Sequence, residues 1–86
     1  MHAVVLLEQA IAYAQRTGYQ VRQEWLGGVS GGRCEFAGQR WIFVDLSLDP
    51  LEQLEQVIQG IEPIHGNPSE SIPAALQTHL DRRRAA

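Results

Sequence analysis

The 86-residue sequence contains a single cysteine, Cys34, so no disulfide can form within the chain. It also lacks a long apolar run. Met1–Leu7 is apolar but short, and Glu8 and Gln9 interrupt it. No basic segment precedes it and no small-residue cleavage site follows. The stretch reads as neither a signal peptide nor a membrane span, and the expected compartment is the cytoplasm. Surplus charge of one sign is missing too. The net charge of −3 gives no overall attraction to nucleic acid. The one basic run, Arg82-Arg83-Arg84, reads as a solvated tail rather than a nucleic-acid or membrane contact.

Ligand and nucleophile signatures are equally sparse. His2, His65 and His79 have no histidine partner at helical spacing, and one cysteine cannot make a structural zinc site, so no metal and no cofactor is expected. A P-loop needs a Gly-Lys-Ser/Thr ending before a helix. Here Gly31-Gly32 leads into Arg33 and then a strand, so the glycines of 27–32 read as a flexible connection. Cys34 is placed near no histidine that could activate it. In phase with Phe36, it reads as a small buried hydrophobe.

What remains is an ordinary globular composition, 44% apolar and 20% charged, in a chain long enough for one domain, residues 1–86. The first segment reads as a helix. Val4, Leu7, Ile11 and Ala14 recur at three- and four-residue steps, Arg16 suits the negative end of the helix dipole, and Gly18 is a left-handed stop. Tyr19, Val21 and Trp25 then alternate with Gln20, Arg22 and Glu24, as in a half-buried strand.

Segments 33–37 and 40–45 read as a hairpin around a Gly38-Gln39 type II′ turn. That register pairs Phe36 with Trp41 and Cys34 with Phe43 on a core face. Glu35 with Ile42, and Arg33 with Val44, then share the other face. Trp41-Ile42-Phe43-Val44 is apolar on both faces, the mark of a central strand. Trp25 and Trp41 read as core anchors rather than a ligand platform.

The second helix is announced by Asp49 as N-cap, Pro50 at the first helical position and Glu52 in a capping-box position. Leu51, Leu54, Val57, Ile58 and Ile61 make its apolar stripe, and Gly60 and Pro63 end it. Residues 61–71 read as an irregular connection. A last helix spans roughly 71–83, with Ile72, Leu76 and Leu80 aligned and Pro73 in its first turn. Asp45 is expected to end the third strand and shape the turn into the second helix. The fold class is α+β: a small three-stranded antiparallel sheet with helices packed on one face, in the order α-β-β-β-α-α.

Gly31-Gly32-Arg33-Cys34-Glu35-Phe36-Ala37-Gly38, with Trp41-Ile42-Phe43-Val44-Asp45 and Leu51-Glu52-Gln53, resembles a pattern in small bacterial conserved proteins of unknown function. It is also loosely similar to the segment before the active helix of minimal zinc peptidases. No His-Glu-x-x-His occurs here, so the resemblance implies the strand–turn–strand–helix layout and no peptidase activity.

The functional expectation is a non-catalytic interaction module forming a homodimer. Its contact is placed on the sheet face bearing Ile42 and Val44, or on a strand edge beside it, with Arg33 and Glu35 as a polar rim. The alternatives are a small enzyme or ligand-binding domain using Cys34, Asp45 and the Gly27–Gly32 loop, and a regulatory accessory partner of a larger protein.

Overall fold

Residues 3–28, 32–61 and 72–85 are described by the computed structural model. His2, His65, Pro63, the middle of the glycine loop and the connection before the last helix lie outside them. The elements run α1 (Ala3–Arg16), β1 (Tyr19–Glu24), β2 (Gly32–Phe36), β3 (Gln39–Asp45), α2 (Pro50–Ile61) and α3 (Ala74–Ala85). This is the expected α+β order.

The strand order is β1-β3-β2, with β3 in the centre. A strand apolar on both sides belongs there, because a central strand is covered by neighbours at both edges and uses both faces. The sheet is mixed, however, and not antiparallel as expected. β2 pairs antiparallel with β3, but β1 pairs parallel with it, from Tyr19↔Arg40 to Glu24↔Asp45. The chain reverses twice between β1 and β3, once through the glycine loop and once at the hairpin. The described start of that loop, Leu26 and Gly28, is bonded to Asp45 at the C-terminal end of β3.

The hairpin turn is Ala37-Gly38, one residue earlier than expected. Both residues have positive φ, 54° and 77°, the requirement of a type I′ turn, whose twist matches that of the strands. The register becomes Cys34↔Trp41 and Glu35↔Arg40. The offset from expectation is two positions, which preserves side-chain parity. Cys34, Phe36, Trp41 and Phe43 still share one face, as do Arg33, Ile42 and Val44.

The identity of the buried face is the larger correction. Ile42 and Val44 are 0% exposed, so they cannot form a bare contact surface. They lie in one core cluster with Leu6, Leu7, Ala10, Tyr13 and Ala14 of α1 and Leu54, Val57, Ile58 and Ile61 of α2. Cys34, expected in the core, is exposed. The physical reason is close approach. A Cβ at Gly60 would lie 3.0 Å from Ile42, so glycine brings α2 down onto a branched aliphatic side chain. Gly60 is thus a packing residue inside α2, not its stop. Parallel pairing also sets Val21 of β1 beside Ile42, so the inward face of β1 joins that of β3. Trp25 falls beyond the end of β1 and is 73% exposed.

The α2 boundary is as expected. The Asp49 carboxylate accepts the Glu52 N–H at 2.9 Å, and the Asp49 carbonyl accepts the Gln53 N–H. The Glu52 N–H holds the Asp49 carboxyl below its ordinary pKa, while the bond and charge of Asp49 raise that of Glu52. The helix stripes are rotated slightly from expectation, since Val4 and Leu51 are exposed. Helix α3 buries Leu76 and Leu80 and packs against α1. Arg83 is not part of a free tail. Its Nε donates to both Glu55 carboxylate oxygens of α2, at 2.9 and 2.7 Å. No helix among the described residues is long and apolar enough to cross a membrane.

Candidate functional site

Two places concentrate the chemistry-bearing side chains, and they lie at different points along β3. The first is its last residue. Asp45 is 1% exposed. One carboxylate oxygen accepts the Leu26 N–H at 3.0 Å, the Ser47 N–H at 2.9 Å and the Ser47 hydroxyl at 2.7 Å. The other accepts the Gly28 N–H at 2.6 Å. The Asp45 N–H donates to Gln56 Oε1 at 2.8 Å. Burial pushes the Asp45 pKa up. The Ser47 hydroxyl and the N–H groups of Ser47, Leu26 and Gly28 outweigh it and hold the carboxyl down at about 2.

Hydrogen bonds to the charged form produce that direction of shift. A carboxylate so held stays ionised near neutrality, and donors already occupy its oxygens. It is poorly suited to carry a proton to or from a substrate. The glycine loop is engaged by the same residue. Gly27 and Gly28 have positive φ, which turns the Leu26 and Gly28 amides onto Asp45. The nest that a phosphate would use is filled, at these amides, by the chain's own anion.

The second place is the sheet face turned away from the helices. Trp41 and Phe43 stack with centroids 6.0 Å apart and planes 15° from parallel. Both are half-buried, whereas Phe36 is 68% exposed. Parallel pairing sets Gln20 beside Trp41 and Arg22 beside Phe43, and β2 sets Cys34 on the other side of Trp41. Arg22 forms an ion pair with Glu24. Arg22, Cys34, Glu35, Phe36, Trp41 and Phe43 line a shallow depression of about 430 Å³. No described helix packs on this face.

No family model matches the chain, and neither a curated protein nor a solved structure matches it significantly.

The structure separates the groups that the enzyme alternative needs together. Cys34 pairs with Trp41, four positions from Asp45 along β3, or about 13 Å at a strand rise of about 3.3 Å. His79 sits on α3 in the helix layer, its Nε2 4.0 Å from Glu55. Among the described residues no group of three or more His, Cys, Asp or Glu could hold a metal ion. Of the expected interaction residues, Ile42 and Val44 are buried, while Arg33 and Glu35 are exposed on the edge strand β2. The residues that sequence reasoning missed as surface are Phe36, Trp41 and Phe43. The signal for them lay in β1. Its polar set Gln20, Arg22 and Glu24 shares their face once β1 is placed beside β3.

Proposed function

We propose that the chain is a non-catalytic, cytoplasmic protein-interaction module that works as a homodimer through its β2–β3 hairpin. One observation carries the reading. The hairpin presents Cys34 and Phe36 exposed, with half-buried Trp41 and Phe43 behind them, at the margin of a sheet whose other face is covered by helices. Contiguous exposed apolar surface is characteristic of contact sites, and two-fold closure is the commonest way for a soluble chain to bury it. A chain of this length buries only about 60–65% of its unfolded surface by itself, so further burial adds to a thin core.

The enzyme reading is weakened by the occupied oxygens of Asp45 and its distance from Cys34. A regulatory role beside a larger protein has no residue of its own to carry it. Sedimentation equilibrium over a wide concentration range tests the proposal. A dimer mass is expected, with Phe36→Ser shifting the equilibrium toward monomer and leaving the melt of the monomer unchanged. A monomer mass at the highest concentration overturns it.

A further inference from the structure

We infer that the chain binds a small aliphatic carboxylate in a groove of the helix layer, where one face of α3 meets the first turns of α1 and α2. The groove lies away from the aromatic sheet face, and the inference stands whether or not the chain dimerises.

The groove has a volume of about 530 Å³, within the usual range for small-molecule sites. One wall is a single face of α3. Ala75, Thr78, His79 and Arg82 line it, and their three- and four-residue spacing sets all four on the same side of a helix. Leu76, Leu80 and Arg83 occupy the neighbouring face, turned to the core and to α2. The opposite lining comes from Ala3 and Leu6 of α1 and Leu51 of α2. The groove accounts for Leu51, which belongs to the apolar stripe of α2 and is nonetheless 52% exposed. It borders this space instead of the closed core.

The polar and apolar ends of the groove are separated along α3. Arg82 lies about 10 Å from the level of Ala75, at a rise of about 1.5 Å per residue. No acidic side chain lines the groove, and among the described residues no hydrogen bond or ion pair engages Arg82. Glu55, the acidic residue nearest in kind, is already committed. Both of its carboxylate oxygens accept from Arg83. His79 Nε2 stands 4.0 Å from Glu55 and has no hydrogen-bond partner. The Arg83–Glu55 pair ties α3 to α2 one turn beyond Leu51, which holds the two walls in place without a ligand.

These features select the class of ligand. A guanidinium fork matches a carboxylate through two parallel hydrogen bonds. One arginine balances its single charge, whereas a phosphate monoester brings nearly two. Away from Arg82 the walls offer mostly methyl and methylene groups. The Thr78 hydroxyl already donates to the Ala74 carbonyl at 3.1 Å. A sugar would leave its hydroxyls without partners there, while an alkyl chain gains by leaving water.

Octanoate, whose extended chain spans the distance from Arg82 to Ala75, is the probe. It is titrated into the full chain by isothermal calorimetry, and saturable binding at one site per chain is expected. Acetate keeps the charge without the chain, and 1-octanol keeps the chain without the charge. Each should bind at least tenfold more weakly. Arg82→Gln should weaken octanoate binding about tenfold or more and Arg82→Lys less, both with the parent's thermal melt, since Arg82 is exposed. Leu51→Asp should also weaken it, by replacing an apolar wall with a like charge. Phe36→Ser, on the aromatic face, should leave it unchanged. The inference is overturned by the absence of saturable octanoate binding, by 1-octanol binding as tightly, or by binding that Arg82→Gln and Leu51→Asp leave intact. Loss of binding in Phe36→Ser alone would also overturn it, by moving the site to the sheet.

Discussion

The two faces of β3 are both apolar, yet one is sealed and the other is open. Ile42 and Val44 lie under α2, in one core cluster with residues of α1 and α2. Among the described residues no helix packs on Trp41 and Phe43, one residue out of phase with them, and both are half-buried. The open face carries the larger aromatic residues, so hydrophobic content alone does not select the core. Shape does. Branched aliphatic side chains form an even surface on which α2 can settle through Gly60. Indole and phenyl rings on the same strand would hold a helix further off. The aromatic face is also bordered by Gln20, Arg22 and Glu24, which need water, whereas Tyr19 and Val21 extend the aliphatic one.

The sharpest way to break this comparison is charge. Val44→Glu puts a carboxylate in the dry interior and should abolish the cooperative thermal transition followed by circular dichroism. Phe36→Glu, on the opposite face, should leave a folded chain. Equal damage from both would mean that the second face is covered as well. Truncation gives a smaller contrast. Ile42→Ala should cost about 2–5 kcal/mol in a denaturant melt, and Trp41→Ala less. A reversed order would move the core to the aromatic side.

The next effect concerns the end of β3 where the two faces meet the glycine loop. The fold binds the ionised form of Asp45, whose pKa falls from 3.8 to about 2. The resulting stability is fully present above pH 3.8 and is lost as the pH falls toward 2. Denaturant midpoints measured down that range should drop in the parent and change less in Asp45→Asn. Parallel pH curves would show that the carboxylate does not hold the loop.

The smallest effects belong to the turn that keeps the face assignment in phase. Gly38→Val should destabilise by more than about 1 kcal/mol, because its φ of 77° is costly for a β-branched residue. Ala37 shares the left-handed region. Ala37→Asn gives the favoured Asn-Gly pair and should stabilise by roughly 0.5 kcal/mol. A shift of the opposite sign for either variant would contradict the Ala37-Gly38 turn.

What could be read in the sequence was local. Asp49, Pro50 and Glu52 mark the start of α2 within four residues, because a helix cap is satisfied by its own first turn. The two-sided apolarity of β3 gave its central position, and alternation gave the grouping of Cys34 with Phe36, Trp41 and Phe43. Which group lies inward was not legible, because parity cannot tell the faces of a strand apart when both are apolar. The deciding contact, Gly60 on Ile42, joins separate elements. The parallel β1–β3 pairing was hidden for a similar reason. It depends on Leu26 and Gly28 meeting the end of β3, and the Asp45 bonds that hold them there link positions 17 and 19 residues apart.

The contact of Leu26 and Gly28 with the end of β3 also orders events in time. The β2–β3 hairpin closes over a two-residue turn, and such hairpins form in about 1–10 μs. Parallel pairing of β1 with β3 must close a much longer stretch of chain, a step whose entropy is lost before any contact repays it. Asp45 cannot gather the Leu26 and Gly28 amides until both strands are side by side. Its carboxylate therefore acts late, as a latch on a pairing already made, and its removal should speed unfolding more than it slows folding.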